Sequence, residues 1–317
     1  MSNILYLLNK KKNEKKYIII KNLSIVSVKG KDAKLFLQNH TTSDINKLKK
    51  NEHIFSSFCN SKGRVRSVFR IFKYFNGYAY IQYNQNVKKQ ILEFKKYCIF
   101  YKVKISILKK IFIFGFIYSK KIKKILNNIF FKIPNKNNTF VKFKKTFIFF
   151  FKKPIKRYLV VTTLKYSEII LNTMQYNKIY RDVDDIWLIL DIMSKIPMIF
   201  KMNKSIFIPQ EININIKNKG ICLNKGCYQG QEIIAKYQFR NILRRNIFLF
   251  YNDRDIVLNH NDFIEYNNNG TWIIIGKIFF FVKFNKKNFI QAICKNIKYK
   301  NDKFRIYKKR YEIELFS

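Results

Sequence analysis

Residues 225–232 read Lys225-Gly226-Cys227-Tyr228-Gln229-Gly230-Gln231-Glu232, an octad that departs from the composition of the rest of the chain. The chain is rich in Lys, Asn and Ile, and only 9 of its 317 residues are Gly. Two of those glycines lie in the octad. In a chain with so strong a bias, a retained Gly-Cys and Gly-Gln-Glu are unexpected by chance. The octad is therefore the first candidate for a functional segment.

The octad combines a thiol with neighbours that favour its ionised form. Its glycines allow positive φ or the close approach of a partner. Gly230-Gln231-Glu232 predicts the first turn of a helix that continues through residues 233–235, where a carboxylate is favourable. Cys227 would precede that positive helix end and follow Lys225 closely, and both settings lower the pKa of a thiol. This predicts a reactive, partly exposed thiol at Cys227. The alternative is a buried cysteine that fills a small space.

The remaining cysteines and the histidines indicate neither a disulfide framework nor a metal site. The cysteine count is odd and no pair has C-x-x-C spacing, which favours a reducing compartment. We expect the other four thiols to be less reactive than Cys227. One lies beside a predicted hairpin turn, one follows the apolar face of a predicted helix, and two fall in predicted apolar strands; they are, in that order, Cys59, Cys98, Cys222 and Cys294. The three histidines, His40, His53 and His260, form no metal-ligand motif.

The formal net charge of +45 would ordinarily indicate a nucleic-acid partner. Lys greatly outnumbers Arg, and Asn, Ile, Phe and Tyr are abundant, as expected from an AT-rich genome such as that of a reduced endosymbiont. We therefore interpret most of the lysines as compositional drift, with real attraction to RNA as the alternative. A specific RNA reader is expected to concentrate Arg and aromatic residues in one stretch. Any RNA binding is then expected to be sequence-independent and to weaken steeply with salt.

Length and hydropathy predict a soluble protein of two or three domains, or of one composite domain with an appendage. The hydrophobic fraction of 48% is enough for a sizeable core. Residues 1–16 place apolar side chains before a lysine run, the reverse of a secretory signal. Lysines close the longest apolar run, residues 111–118, well short of the roughly 18 residues that a membrane span needs. A cytoplasmic location without membrane contact is expected.

Apolar patterns predict an α+β region. Asn76-Gly77 indicates a tight hairpin, because both central positions of such a turn favour positive φ. With its flanking strands this turn predicts a three-stranded antiparallel meander over residues 54–83. Residues 119–145 are rich in Lys and Asn and show no readable pattern. The strands are predicted at residues 17–20, 24–28, 54–58, 65–74, 78–83, 102–107 and 157–162, and the helices from Asp32 and at 87–94 and 166–175. Residues 185–192 are apolar around Trp187 and are assigned no element.

From Arg245 onward the pattern changes to short apolar runs separated by Asn, Asp and Gly. Runs at residues 247–251, 272–281, 289–294 and 304–307 predict a small C-terminal β-barrel or β-sandwich. We place the domain boundary near Asn241. The prediction is an α+β region over residues 1–240 and a β-domain over 241–317.

Several motifs together resemble one known family. The octad has the pattern K-G-C-[FY]-x-G-Q-E, which is highly specific. Weaker matches follow the family's order at residues 35–38, 42–44, 59–64, 95–100 and 207–211. These stretches resemble Y-L-Q, T-x-D, C-x-x-K-G-K, K-K-Y-A-V-F and F-I-P-Q in turn. The set resembles the YgfZ family, the folate-binding relatives of the glycine-cleavage T-protein, over nearly the whole chain.

The resemblance implies two interleaved T-protein-like folate-binding subdomains around a central cavity, followed by a β-barrel. It also implies that tetrahydrofolate, or a related reduced folate, lies in that cavity. Trp187 matches a family tryptophan implicated in folate binding, and a flat indole can stack on a pterin or benzoyl ring. The alternative is a core tryptophan beside Leu188 and Leu190. A second family tryptophan falls at Leu23 here, which removes one aromatic wall.

The function implied is that of a folate-binding accessory factor rather than an enzyme. It would support iron–sulfur enzymes or their assembly proteins and, through them, the methylthiolation of tRNA, with a regulatory role and only indirect contact with tRNA. Cys227 would be the redox or transfer thiol. One alternative is a folate-dependent aminomethyl or one-carbon transferase. T-protein uses an acidic residue for that reaction, and its place falls near Arg66 and Ser67, neither of which is acidic. The second alternative is a charge-driven RNA-binding module.

Overall fold

The structure, a computed structural model, describes residues 16–200, 202–240, 243–260, 262–295 and 303–316. The lysine-rich residues 1–15 and the boundary residue Asn241 lie outside these ranges. Contacts divide the chain into two units, each assembled from three segments. Met1–Phe36, Ile45–Ile54 and Phe69–Leu190 belong to the first, and Leu37–Asp44, Phe55–Val68 and Asp191–Ser317 belong to the second. Each unit is therefore discontinuous along the chain.

Six helices and seventeen strands make up the regular structure of the described residues. The helices are α1 (Ala33–His40), α2 (Val87–Cys98), α3 (Lys120–Phe130), α4 (Leu164–Tyr176), α5 (Asp185–Met193) and α6 (Gln231–Phe239). The strands are β1 (Lys16–Ile19), β2 (Leu23–Lys29), β3 (His53–Cys59), β4 (Val65–Tyr74), β5 (Gly77–Tyr83), β6 (Lys104–Ile107), β7 (Ile111–Ile117), β8 (Phe140–Phe143), β9 (Thr146–Phe151), β10 (Arg157–Thr163), β11 (Tyr180–Asp182), β12 (Arg245–Asn252), β13 (Phe263–Asn268), β14 (Thr271–Phe284), β15 (Lys287–Lys295), β16 (Phe304–Ile306) and β17 (Glu312–Phe316). Short 3-10 turns lie at Asn84–Asn86 and Pro209–Ile212.

A six-stranded sheet in the order β11-β1-β7-β10-β9-β8 lies in the first unit. The apolar run at residues 111–118 forms β7, which pairs antiparallel with β1 on one side and β10 on the other. Side chains from this sheet and from α3 and α4 form one core, with Phe116, Leu126 and Met174 at its centre. The long apolar run is therefore an interior strand, which was not among the strands predicted from the sequence.

Helix α3 lies in residues 119–145, where no pattern was readable from the sequence. Ser119 caps it, because its hydroxyl accepts a hydrogen bond from the backbone of Ile122 at 3.1 Å. Ile122, Leu126 and Phe130, four residues apart, form its buried stripe. The stripe was hidden because lysines and asparagines are so frequent between the buried positions.

A five-stranded sheet has the order β3-β4-β5-β2-β6, so the predicted meander β3-β4-β5 is present. The hairpin between β4 and β5 turns one residue earlier than predicted. Tyr74 pairs with Gly77, and the two turn residues are Phe75, at φ +48°, and Asn76. Gly77 instead opens β5, where a Cβ would lie 2.6 Å from the carbonyl oxygen of Val28. The glycine is needed for close backbone approach rather than for the turn.

The C-terminal strands close into a barrel in the order β12-β15-β14-β13-β16-β17. This confirms the predicted β-barrel, to which the structure adds β13 and β17. Its interior is filled by inward-facing side chains such as Phe250, Ile264, Ile290 and Phe304. The barrel strands begin at Arg245, and the division of the chain at residue 240 stays a prediction.

No helix within the described ranges is long and apolar enough to cross a membrane.

The imidazole of His53, at the start of β3, lies beside two phenyl rings. Its centroid is 5.5 Å from that of Phe149 and 5.4 Å from that of Phe151. Its Nδ1 is 3.5 Å from Nη1 of Arg70. Burial of the ring, helped by the guanidinium, lowers the pKa of His53 from 6.5 to about 3. The folded protein therefore keeps this imidazole neutral.

Acid should destabilise the fold through His53. Below pH 6.5 the unfolded chain takes up a proton at this residue, whereas the folded chain does so only near pH 3. The free energy of unfolding therefore falls as the pH drops, by about 3 kcal/mol between pH 7 and pH 4 from this group. Urea denaturation at both pH values measures it. His53→Phe should lose about 3 kcal/mol less than the wild type, and equal losses would contradict the assignment.

Candidate functional site

The ammonium group of Lys225 fixes the octad to a distant part of the chain. Its Nζ donates to the carbonyl oxygens of Thr41 at 2.5 Å and Ser43 at 2.8 Å, and also to that of Gln38. Gln38 is in the last turn of α1, where carbonyl groups have no partner inside the helix. A cation there also compensates the negative end of the helix dipole. Lys225 thereby holds together segments that are 182 to 187 residues apart in sequence.

The protonation state of Lys225 suits this role. Burial lowers the pKa of Lys225 from 10.5 to about 8, while Asp44 and Cys222 act in the opposite direction. The amine is thus largely protonated at neutral pH and offers three hydrogens, one for each carbonyl. Its Nζ also lies 4.8 Å from the centroid of the Tyr228 ring, a cation–π distance. Lys225 is therefore a structural cation, a role that the sequence did not predict.

Buried hydroxyl groups reinforce the same junction. Thr42 donates through Oγ1 to the carbonyl oxygen of Gly220 at 2.6 Å, and its Oγ1 is 3.0 Å from Oγ of Ser57. Ser43 donates to Oγ of Ser56 at 2.7 Å. All four hydroxyl residues are fully buried. Because buried hydroxyls are costly unless hydrogen-bonded, this network favours a single arrangement of the segment after α1, of β3 and of the loop before the octad.

Helix α6 begins at Gln231, as the Gly-Gln-Glu pattern predicted. Oε1 of Gln231 accepts from the backbone of Tyr228 at 3.0 Å, and its Nε2 donates to the carbonyl oxygen of Leu223 at 2.8 Å. One side chain therefore closes the octad back onto the start of its own helix. Glu232 is exposed in the first turn, where its carboxylate is favoured by the positive end of the helix.

The two octad glycines have different structural settings. Gly230 is the N-cap of α6 at φ +80°, and a Cβ there would lie 2.6 Å from Cα of Gly63 and would also overlap the carbonyl oxygen of Asn60. Gly63 itself has φ +66°. Around Gly226, by contrast, a Cβ would meet nothing within 4 Å. The fold among the described residues requires glycine at position 230 but leaves open space at position 226.

Cys227 is the only one of the five thiol residues that is exposed. Cys59 and Cys294 are buried, and burial raises the pKa of Cys59 to about 12 and that of Cys294 further. Cys98 is half-buried, and burial raises its pKa as well. Cys222 is also half-buried but lies in an irregular segment, so its prediction as a strand residue was wrong. The octad therefore presents one accessible nucleophilic sulfur.

The side chain of Tyr228 is buried, whereas that of the preceding Cys227 is exposed. The tyrosine hydroxyl has no hydrogen-bond partner among the described residues. Burial raises the pKa of Tyr228, and Cys59 and Cys222 act in the same direction, so both thiols are close to this ring. The buried ring of Tyr228 fixes the loop to the protein interior, whereas the neighbouring Cys227 stays exposed.

Glu211 is a site residue whose role the sequence did not reveal. Its buried carboxylate accepts from Nε of Arg245, at the start of the barrel, at 2.8 Å and from the backbone of Ile208 at 3.1 Å. Nη1 of Arg64, in the β3–β4 hairpin, is 3.6 Å away. The preceding Gln210 donates to the carbonyl oxygen of Ile234 in α6 at 2.9 Å. The F-I-P-Q-E stretch therefore joins the hairpin, α6 and the barrel, a role that only contacts across the fold could show.

Trp187 lies in α5 within the first unit and is 2% exposed. The guanidinium carbon of Arg157 is 4.7 Å from the centroid of its ring, and Phe151 makes an edge contact at 5.8 Å. A Cβ at Gly115 would lie 2.5 Å from the indole. The indole fits a folate ring as a stacking partner only if Arg157 first leaves its face. The other two positions named from the resemblance are Leu23, half-buried in β2, and the Arg66–Ser67 pair in β4, where Ser67 is buried.

The fold is that of the glycine-cleavage T-protein. The solved structure of glycine cleavage system aminomethyltransferase T from Bartonella henselae superposes with a TM-score of 0.69, at 10% identity, over 96% of this chain and 86% of that one. A scan against protein-family models found no match. Individual relatives are closer in sequence.

Long alignments join this chain to tRNA-modifying protein YgfZ of Buchnera aphidicola. In the subspecies from Schizaphis graminum the identity is 34% over 292 residues, covering 91% of this chain and 90% of the relative. In the subspecies from Baizongia pistaciae it is 36% over 299 residues, covering 93% and 92%. The protein of the same name from Photorhabdus laumondii is 29% identical over 290 residues, covering 91% and 87%. This chain belongs to the YgfZ family.

The two octad glycines provide a matched pair of substitutions. Gly230→Ala should lower the free energy of unfolding by at least about 2 kcal/mol, because the new Cβ combines a left-handed backbone with overlap onto the hairpin loop. Gly226→Ala should change it by less than about 0.5 kcal/mol, because the added methyl group meets open space. Urea denaturation compares them, and similar losses in both variants would contradict the described packing.

Proposed function

We propose that this protein supports tRNA modification as a folate-binding accessory factor, with Cys227 as the thiol that meets its partners. The relatives are named tRNA-modifying proteins. The observation that carries the proposal is an exposed thiol on a loop that is otherwise tied down by Lys225, Tyr228 and Gln231. A loop held from three directions keeps its one accessible sulfur in a fixed position, which suits repeated presentation to a partner.

The partners proposed are iron–sulfur enzymes or their assembly proteins, including those that methylthiolate tRNA, and the location proposed is the cytoplasm. Open space at Gly226 supports contact with another macromolecule, because glycine there is not required by packing within the described fold. A partner's backbone could then approach the thiol closely. A transferase reaction finds less support, because Ser67 and Arg66 occupy the strand positions where a carboxylate is needed.

Reduced folate is proposed as the bound cofactor, with Trp187 as its aromatic contact. The T-protein fold supports a relationship to folate. The guanidinium of Arg157 lies over the indole, so a ligand ring that stacks on this face would have to displace it. With Leu23 in place of a second tryptophan, the indole would be the main aromatic wall.

Cys227 should be the fastest thiol to react and the one whose loss matters most. Iodoacetamide labelling at neutral pH, followed by peptide mass spectrometry, should label Cys227 before Cys222, because Cys222 is partly buried. Cys227→Ser should abolish complementation in a bacterium that lacks its own relative, read as methylthiolated nucleosides in tRNA. Cys222→Ser is the matched control and should complement. Equal labelling of both thiols, or full complementation by Cys227→Ser, would overturn the role of Cys227.

Tetrahydrofolate should bind, and its affinity should depend on Trp187. Calorimetry should show Trp187→Leu at least roughly tenfold weaker, since base-like rings stacked on an aromatic side chain gain about 1–3 kcal/mol. Trp272→Leu, which changes the only other tryptophan, should bind like the wild type. Circular dichroism checks that both variants fold. Absence of binding at millimolar ligand, or unchanged affinity in Trp187→Leu, would refute this part of the proposal.

A further inference from the structure

The end of α6 exposes an aromatic ring together with two cationic side chains. Phe239, the last residue of the helix, is 77% exposed. Lys236 and Arg240, three residues before it and one after, are exposed too. Positions 236, 239 and 240 have the i, i+3, i+4 spacing of one helix face. We call these three residues the α6 surface.

The scarcity of arginine in this chain makes the exposed Arg240 of the α6 surface informative about function. Only 11 of the 317 residues are Arg, against 53 Lys, so an arginine is much less readily explained by drift than a lysine. Residues 236–245 read Lys-Tyr-Gln-Phe-Arg-Asn-Ile-Leu-Arg-Arg and hold three of the eleven, of which Arg245 pairs with Glu211. Such a stretch concentrates Arg with aromatic residues, which is the pattern expected of an RNA reader. The large excess of lysine along the whole chain had hidden it.

The geometry of the α6 surface suits an unpaired base. Every base has a flat face that can stack on an exposed aromatic ring or on a guanidinium, and stacking needs no deep pocket. Lys236 and Arg240 follow one another by one helical turn beside the ring, and each can contact a phosphate. In a duplex the base faces are already stacked on one another, so a surface of this kind selects single strands. An acidic peptide could satisfy the two cations but would gain little from an isolated ring.

The octad and the α6 surface lie at opposite ends of the same helix. Helix α6 has nine residues, so its two ends are about 14 Å apart along the axis. A bound strand of a few nucleotides could cover that distance. Its contact would lie at the C-terminal end of the helix whose first residue, Gln231, is four residues after Cys227.

We propose that Lys236, Phe239 and Arg240 form a binding surface for single-stranded RNA, in which an unpaired base stacks on Phe239. The inference goes beyond the proposed function, which needs only indirect contact with tRNA, and it requires neither folate nor a reactive Cys227. Stacking on Phe239 adds a contribution that salt does not screen to an otherwise electrostatic attraction.

Fluorescence anisotropy with a labelled oligouridine of about 12 nucleotides, within the site sizes of single-strand binders, tests the surface on the full-length protein. Phe239→Ala should weaken binding roughly tenfold, the loss expected for one stacked base. It removes no charge, so the slope of log K against log salt should not change. Arg240→Ala should lower that slope by about 1. Arg240→Lys keeps the charge and should retain the slope.

Tyr176→Ala is the matched control, because Tyr176 is also the last residue of a helix, α4, and is 88% exposed, with Thr173 in place of the lysine. This variant should bind RNA like the wild type, and thermal melts check folding.

A duplex of the same length should bind more weakly than the single strand. If Phe239→Ala and Tyr176→Ala bind alike, if the duplex binds equally well, or if a glutamate peptide of equal length competes better, the proposal is wrong. Cys227 labelling in Phe239→Ala should remain normal, which separates this outcome from failure of the proposed function.

Discussion

A single buried ammonium group positions the candidate site. Lys225 donates to three backbone carbonyl oxygens, two of them at 2.5 and 2.8 Å, that follow or end α1. Removing a charge from water is costly, and here the cost is offset by acceptors that no helix can satisfy internally. Because these acceptors belong to the backbone, they persist whatever side chains the segment carries. The junction can therefore survive a strong drift in composition.

The buried carboxylate of Glu211 forms a second junction, in addition to the one formed by the ammonium group of Lys225. The carboxylate of Glu211 faces Arg245 and Arg64, while the adjacent Gln210 bonds to α6. One junction thus holds the amino-terminal side of the octad and the other holds the helix that follows it. Between them the chain has one outward-facing loop, and the only exposed thiol lies on it. An exposed thiol on a loop whose neighbouring residues are hydrogen-bonded to the fold distinguishes this region from the settings of the other cysteines.

Local sequence patterns were sufficient to predict most of the helices and strands. They were insufficient to predict the contacts of Lys225 and Glu211, which join distant segments. The Gly-Gln-Glu pattern predicted the start of α6, and short apolar runs separated by Asn, Asp and Gly predicted the strands of the barrel. Both signals could be read because they lie in residues that are close together in the sequence. Helix α3 was missed because lysine and asparagine occupy its polar positions so uniformly. The partners of Lys225 could not be predicted, since they are carbonyl groups 182 to 187 residues away that have no sequence signature. For Trp187 the sequence left core packing and ligand contact open, and burial beside Arg157 is a property of the packed unit alone.

The contact between Gly63 and Gly230 has a consequence for how this lineage can evolve. A Cβ on Gly230 would lie 2.6 Å from Cα of Gly63, and a Cβ on Gly63 would lie 3.2 Å from the carbonyl oxygen of Gly230. A side chain at position 230 would require the hairpin backbone to move, whereas one at position 63 would require a smaller shift of a few tenths of an ångström at a left-handed backbone position. Substitution by lysine or asparagine should therefore be resisted more strongly at this pair, and most strongly at Gly230, than at an open position such as Gly226. Such a pair should outlast most of the surface that surrounds it.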